Sequence, residues 1–184
     1  MAKRKIPVFL WCFGFIWVLA AGSVWAQPKV GDKIGNLKFS QPVNETDMQY
    51  LGLSKMAPFT LKDVKAKYVL VDVFSTTCPH CFAEAPQMNK LYGLVSQDPQ
   101  LKDKVKFIGS GFQDNEFKLR FWKAQFQVPF PLIPDLEGQV FNALKLPGTP
   151  VHLIMDNDGK VHWVNIGAFE DAEAVFKEIK AALK

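Results

Sequence analysis

Residues 68–81 read Tyr68-Val69-Leu70-Val71-Asp72-Val73-Phe74-Ser75-Thr76-Thr77-Cys78-Pro79-His80-Cys81. The first half is a nearly continuous apolar run with β-branched residues, which predicts a strand over 67–75 that is buried on both faces. Apolar residues then recur at three- and four-residue intervals, which predicts a helix over 79–95. Two cysteines therefore lie at a strand-to-helix junction, where unpaired N–H groups and the positive end of the helix dipole stabilise a thiolate.

Strand and helix patterns alternate beyond this junction. We predict a strand over 105–109, a helix over 115–127, an extended segment over 129–134, a short helix over 137–144, a hairpin of 151–155 with 160–166, and a last helix over 170–183. In the helix over 115–127 we expect Asp114 as a cap and Phe117, Phe121, Trp122 and Phe126 on the inner side. The order predicts an α/β fold, with a mixed central sheet and helices on both faces.

The N-terminus has the pattern of a secretory signal peptide. Lys3, Arg4 and Lys5 precede an apolar stretch over 6–21, and a small residue, Ala26, stands at the expected cleavage position. We predict a signal peptide over 1–26. An uncleaved membrane anchor is the alternative, although the stretch is short for a hydrocarbon layer of about 30 Å.

Removal of this segment changes the net charge and the number of cysteines, and both limit the functions that the chain can have. The chain has 184 residues with 22 basic and 18 acidic side chains, and the segment takes three basic and no acidic residues, so the net charge falls from +4 to +1. Nothing then indicates a nucleic-acid partner. Both remaining cysteines belong to one motif, so we predict no separate structural disulfide. We predict a lead-in extension over 27–57 with one short strand or helix, and one domain over 58–184.

Several motifs together resemble the thioredoxin superfamily, and within it the exported thiol-disulfide oxidoreductases of the TlpA/ResA type. The resemblance covers roughly residues 30–182. Its pieces are Pro58-Phe59-Thr60-Leu61-Lys62-Asp63, Cys78-Pro79-His80-Cys81, Glu84-Ala85-Pro86, Gly148-Thr149-Pro150 and Asp156-Asn157-Asp158-Gly159-Lys160-Val161. A thioredoxin fold and thiol-disulfide exchange are what this resemblance implies.

The cysteine motif predicts which of the two thiols attacks the substrate and which resolves the mixed disulfide. Cys78 is expected to be the exposed attacking sulfur and Cys81 the less accessible resolving sulfur. Pro79 suits the first helical turn because no N–H is needed there. His80 is expected to stabilise the Cys78 thiolate through its side chain or backbone. Half of a zinc site is the alternative, but a closed site needs four ligands and no second cysteine pair exists.

The direction of net electron flow is left open by the same four residues. Cys-Pro-His-Cys is also the active-site sequence of the oxidising DsbA family, whereas TlpA/ResA-type proteins act as reductants. Potentials of roughly −120 and −270 mV separate such oxidants from thioredoxin, a difference of about 7 kcal/mol. The surrounding motifs favour a reductase. A DsbA-like oxidase and a non-enzymatic redox sensor that binds peptides are the alternatives.

Two carboxylates are candidate members of the site. Asp72 interrupts an apolar strand, and it resembles the buried Asp of thioredoxins that helps to take the proton from the resolving cysteine; a structural, hydrogen-bonded carboxylate is the alternative. Glu84 lies one helical turn after Cys81 and matches a Glu-x-Pro motif whose Glu tunes the cysteines in the resembling family; an exposed helix residue is the alternative. Both carboxylates near the dithiol would suit proton shuttling.

The resemblance also implies a substrate-binding loop. Pro150 matches the cis-proline of the superfamily, and Thr149 is expected to hydrogen-bond the substrate or the active-site sulfur. Thr77 replaces the usual Trp before the first cysteine, so we include it among the substrate-binding candidates. His152 and His162 are interpreted as ordinary strand residues, with a metal or proton-transfer role as the alternative.

The partners follow from this chemistry. We expect client proteins with thiols or disulfides, among them apocytochrome c or other exported proteins by resemblance, and a membrane redox partner. We predict no cofactor, no metal and a monomer.

Overall fold

The computed structural model describes residues 27–35 and 37–184, so the predicted signal peptide lies outside the described residues. The strands are β1 (Lys38–Phe39), β2 (Phe59–Thr60), β3 (Tyr68–Phe74), β4 (Val105–Phe112), β5 (Leu132–Asp135), β6 (Val151–Asp156) and β7 (Val161–Ile166). The helices are α1 (Glu45–Leu51), α2 (Pro79–Gln97), α3 (Glu116–Phe126), α4 (Gln139–Ala143) and α5 (Ala172–Ala182), with a 3₁₀ turn at Leu61–Asp63. No helix in this part of the chain combines the length and apolarity needed to cross a membrane.

Five strands form one mixed sheet in the order β5-β4-β3-β6-β7. β3, β4 and β5 are parallel, whereas β6 is antiparallel to β3 and β7 is antiparallel to β6. β1 and β2 form a separate antiparallel ribbon. The predicted α/β fold with a mixed central sheet is confirmed, and β3 is its central strand.

Side chains of β3 alternate between two cores because successive residues of a strand point to opposite faces. Leu70 and Phe74 pack with apolar residues of α2, α3 and α5 on one face. Val69, Val71 and Val73 pack on the other face with residues of the lead-in and α4. Helices therefore cover both faces of the sheet, as predicted, and Asp72 shares the α2 face with Leu70 and Phe74.

The lead-in is more ordered than the sequence predicted, since it holds both a strand, β1, and a helix, α1. Asn44 caps α1 by accepting a hydrogen bond from the Asp47 N–H, and Gly52 ends it in the left-handed conformation. Leu37, Phe39 and Leu51 are buried in the second core. These side chains cover the face of the sheet that lies away from α2.

The inner side of α3 differs from the prediction. Phe117 and Phe121 are 79% and 67% exposed, whereas Leu119 and Trp122 are buried. Each exposed Phe lies two residues, or about 200°, around the helix from Leu119, so it points away from the core. The prediction was wrong for these two residues because this helix has apolar residues on more than one face.

Candidate active site

The two cysteines stand at the first turn of α2. Cys78 is the N-cap residue, Pro79 occupies the first helical position, and the Phe82 N–H donates to the Cys78 carbonyl oxygen at 3.1 Å. Cys78 is partly exposed and Cys81 is 3% exposed. Both are free thiols, so the structure represents the dithiol form of the site.

A buried carboxylate holds the loop that leads into Cys78. Asp114 accepts hydrogen bonds from the Thr76 N–H at 2.7 Å and from the Thr76 hydroxyl at 2.6 Å, and it pairs with Lys118 at 3.2 Å. We predicted Asp114 as the cap of α3, but Asn115 fills that position. The prediction was wrong because the fold brings the end of β4 beside the end of β3, which turns the Asp114 side chain toward Thr76.

The surroundings of Cys78 favour its thiolate. Burial raises the pKa of the thiol, but hydrogen bonds with the Thr149 side chain and the backbone N–H groups of Cys81 and His80 outweigh burial, and the net pKa is lowered. As a thiol, the Cys78 Sγ donates to the Thr149 carbonyl oxygen at 3.3 Å. His80 acts here through its backbone, while its side chain is exposed.

Cys81 lies in the opposite environment. Burial raises the pKa of its thiol far above the ordinary value, and the charge of Asp72 acts in the same direction. The two sulfurs of one motif therefore lie in opposite environments: ionisation is favoured at Cys78 and disfavoured at Cys81.

Both predicted carboxylates lie on the buried side of the dithiol. Asp72 projects from β3, and Glu84 projects from α2 with 4% of its surface exposed, so the exposed-helix alternative for Glu84 is wrong. A cavity of about 20 Å³ is lined by Asp72, Cys81 and Glu84 together with Asn89 and neighbouring apolar residues. Cys81 and the two carboxylates therefore border one small, mostly apolar cavity.

His152, which the sequence analysis interpreted as a strand residue, lies on β6 and contacts both carboxylates. It pairs with Asp72 in the β3–β6 register and is wholly buried. Its Nε2 lies 2.9 Å from Glu84 Oε1 and its Nδ1 lies 3.2 Å from Asp72 Oδ1. The second contact is too bent for a hydrogen bond, so these two atoms make an ion-pair contact only. One signal was present: His152 interrupts an apolar strand just as Asp72 does.

The second histidine lies elsewhere. His152 faces Asn165 across the hairpin, and His162 is half-buried with its Nε2 2.9 Å from Asp156 Oδ2. The two histidines therefore do not form a pair. Within residues 27–35 and 37–184, no group of three or more His, Cys, Asp or Glu side chains is arranged to hold a metal ion.

A cleft beside the dithiol contains the predicted substrate loop. The Thr149–Pro150 peptide bond is cis, as predicted. Both residues line a cleft of about 530 Å³ together with His80, Gln87, Phe169 and others. Thr77 is exposed, outside the lining of this cleft, where its hydroxyl contacts the Ser75 hydroxyl at 3.1 Å. The structure thus brings His80, Thr149 and Pro150 together and leaves Thr77 outside.

The chain is similar in sequence to known proteins. The sequence model of the redoxin family matches residues 29–183. The chain belongs to the redoxin family. It is 30% identical over 102 residues to the thiol-disulfide oxidoreductase ResA of Bacillus thuringiensis subsp. konkukian, a match that covers 55% of this chain and 56% of the ResA chain. The match therefore spans little more than half the length of that relative.

Solved structures agree with this redoxin at the level of the fold. A putative thiol:disulfide interchange protein DsbE from Chlorobium tepidum is similar with a TM-score of 0.63 at 20% identity, over 85% of this chain and 99% of that one. A secreted disulfide oxidoreductase of Mycobacterium tuberculosis, homologous to E. coli DsbE, gives a TM-score of 0.55 at 19% identity, over 68% and 90%. The predicted membership in the thioredoxin superfamily, of the TlpA/ResA type, is confirmed.

Proposed function

We propose that this redoxin is a thiol-disulfide oxidoreductase that acts on client proteins, with Cys78 attacking and Cys81 resolving. The observation that carries the proposal is the contrast between the two sulfurs. Cys78 is partly exposed at a helix N-terminus and has a lowered pKa, whereas Cys81 is buried beside carboxylates and has a raised pKa. Thiol-disulfide exchange needs this pairing of a ready nucleophile with a protected second thiol.

The first step takes place at the mouth of the cleft. The Cys78 thiolate attacks one sulfur of a client disulfide, a bond forms between Cys78 and the client, and the other client sulfur leaves as a thiolate. The cis loop at Thr149 and Pro150 borders the cleft, so its backbone groups are placed to contact an extended client segment. Thr149 also contacts the attacking sulfur.

The second step releases the client. The Cys81 thiol gives its proton to Asp72, and the resulting thiolate attacks the Cys78 sulfur. A Cys78–Cys81 disulfide forms, and the second client sulfur leaves as a thiolate. The client gains two electrons and the enzyme dithiol loses two, which an external dithiol must return before the next turnover. A membrane redox partner is our candidate for this donor.

Reduction is the direction that we favour. The carboxylates beside Cys81 disfavour ionisation of the dithiol, and a less stable reduced form makes a protein a stronger reductant. A DsbA-like oxidase is the second candidate. Its active-site sequence is Cys-Pro-His-Cys, and the lowered pKa of Cys78 corresponds to a stabilised thiolate, which favours the reduced form of the protein. Equilibration with glutathione buffers separates the two. A potential below about −200 mV is expected, and one above about −150 mV would overturn the reductase assignment.

Catalysis itself is tested by the reduction of insulin with dithiothreitol as the electron donor. Wild-type protein is expected to accelerate the reaction, and Cys78→Ser is expected to abolish the acceleration because no nucleophile remains. His162→Gln, which is remote from the dithiol, serves as the control and should match the wild type. Equal rates for Cys78→Ser and wild type would instead favour the non-enzymatic peptide-binding sensor.

We also propose that the chain is exported and cleaved after Ala26. The basic start, the apolar stretch and the small residue before the cleavage point support this, and one structural neighbour is described as secreted. Mass spectrometry of the extracytoplasmic protein should find Gln27 as the first residue. An intact N-terminus in the membrane fraction would favour the anchor alternative.

A further inference from the structure

His152 connects the two carboxylates of the site through its two ring nitrogens. It lies on β6, Asp72 on β3 and Glu84 on α2, so three separate elements meet at one imidazole. The His152 and Phe169 rings meet edge to face, with ring centroids 5.3 Å apart, and the Phe169 N–H donates to Glu84 Oε1 at 2.9 Å. Among the ion pairs of residues 27–35 and 37–184, His152 is the one positive partner of either carboxylate.

A buried pair of carboxylates with no positive partner is costly. Burial disfavours the charged form of each, and like charges that lie close together oppose a second ionisation. An imidazolium between them changes this balance, because it places a positive charge in contact with both carboxylates and is hydrogen-bonded to Glu84.

The surroundings of His152 shift its pKa. Burial lowers the pKa of the imidazole, but the contacts with Asp72 and then Glu84 outweigh burial and raise the pKa to about 9. The other groups that face this cluster are neutral or weakly acidic. They are Asn165 on β7, Phe169 in the loop after β7, and the Cys81 thiol on α2. The imidazolium is therefore the form that fits the surroundings at neutral pH.

We propose that His152 is a positioning residue of the dithiol site, whose imidazolium compensates the Asp72–Glu84 pair and leaves Asp72 able to accept the proton that Cys81 gives up. The proposal rests on the function proposed above. In the mixed disulfide between Cys78 and the client, the Cys81 thiol transfers its proton to Asp72. The Cys81 thiolate then attacks the Cys78 sulfur, and the client sulfur leaves as a thiolate.

The first test uses the wild-type protein, so it does not depend on the folding of a variant. The chain has three histidines, and ¹⁵N-histidine labelling makes the imidazole nitrogens of each visible by NMR. We expect both ring nitrogens of His152 to carry protons at pH 7 and to titrate near pH 9. A neutral His152 ring at pH 7 would overturn the proposal.

The second test measures the resolving step alone. Reduced protein reacts with an aromatic disulfide, 5,5′-dithiobis(2-nitrobenzoate): Cys78 releases one coloured thiolate as it forms the mixed disulfide, and Cys81 releases the second as it attacks Cys78. We expect His152→Gln to slow the second phase at pH 7 by about tenfold without changing the first phase. His162→Gln, the same substitution at a half-exposed histidine paired with Asp156, should leave both phases unchanged.

A double substitution distinguishes charge compensation from packing. His152→Gln with Glu84→Gln removes the positive charge and one negative charge, so Asp72 remains as a single carboxylate. We expect its second phase to be at least about threefold faster than that of His152→Gln alone. If the second phase of the double variant is as slow as that of His152→Gln, or slower, the proposal is contradicted. That result is expected if His152 and Glu84 only pack the site, because the second substitution would then add a second packing defect.

The outcomes separate this inference from the proposed function. If Cys81→Ser removes the second phase but the two His152 variants behave like the wild type, the resolving role of Cys81 stands and only the role of His152 fails. If Cys81→Ser keeps the second phase, the proposed function itself fails.

Discussion

The two faces of the central sheet are built for different purposes. The face covered by the lead-in and α4 buries only apolar side chains of β3 and β6, among them Val71 and Leu153. The face covered by α2 and α5 buries apolar side chains as well, but it also encloses Asp72 and His152 from the same two strands. One strand pair thus supplies an apolar core to one side and a charged cluster to the other. Asp72 and His152 therefore lie on the face opposite to Val71 and Leu153 of the same two strands.

The largest effect is expected on the apolar face. Leu153→Ala removes a side chain with no exposed surface from the core opposite the dithiol, and it should lower the free energy of unfolding by about 2–5 kcal/mol. Urea denaturation measures this loss. The rate of the resolving phase should stay within about twofold of the wild type. A large change in that rate would mean that the two faces are not separable.

The charged face makes stability depend on pH in a way that the apolar face cannot. The folded pKa of His152, about 9, is above its ordinary value of 6.5. Its contribution is therefore fully present below pH 6.5 and is lost as pH rises through 9. This loss amounts to about 3 kcal/mol for a shift of this size.

The comparison of wild type with His152→Gln measures this contribution, because titratable groups remote from His152 affect the stability of both proteins equally. Urea denaturation from pH 6 to pH 10 should show the stability difference between them shrinking as pH rises. A difference that is constant with pH would contradict a charged His152.

A substitution of Asp72 tests the proposed proton transfer on the face of the sheet that α2 covers. Asp72→Asn keeps the shape of the side chain but removes the proton acceptor, so the resolving phase at pH 7 should slow by about 100-fold. Stopped-flow release of the second coloured thiolate measures it. Asp98→Asn is the matched control, because Asp98 is also a buried carboxylate but pairs with Lys180 at the far end of α2. Equal slowing in both variants would point to a general effect of the substitution.

The sequence predicted features set by local patterns better than features set by the pairing of distant strands. The strand over 67–75, the helix after it and the cysteine motif follow local patterns, and Asp72 was conspicuous because it interrupts an apolar run. His152 carried the same signal, but its partner lies 80 positions earlier, and the pairing of β6 with β3 depends on the assembled sheet. Local sequence does not contain that register.

Glu84 and Phe117 illustrate the same limit on helices. A helix position is buried or exposed according to what packs against it, and α5 and the loop at Phe169 cover Glu84, while Phe117 lies uncovered. The periodicity of apolar residues indicates roughly which side of a helix faces the core. It does not show that a carboxylate in α2 points inward or that an aromatic ring in α3 points outward.

The smallest effect is expected at the His162–Asp156 pair, which contains the same chemical groups as the pair of His152 with Asp72. Burial raises the pKa of Asp156, but the hydrogen bonds with His162 and nearby backbone N–H groups lower it overall. His162 is only half-buried, so solvent screens the pair and His162→Gln should cost less than about 1 kcal/mol in urea denaturation. If His162→Gln costs as much as His152→Gln at pH 7, burial is not what distinguishes the two histidines. The expected contrast follows because His152 is wholly buried among its carboxylate partners, whereas His162 is partly exposed to solvent.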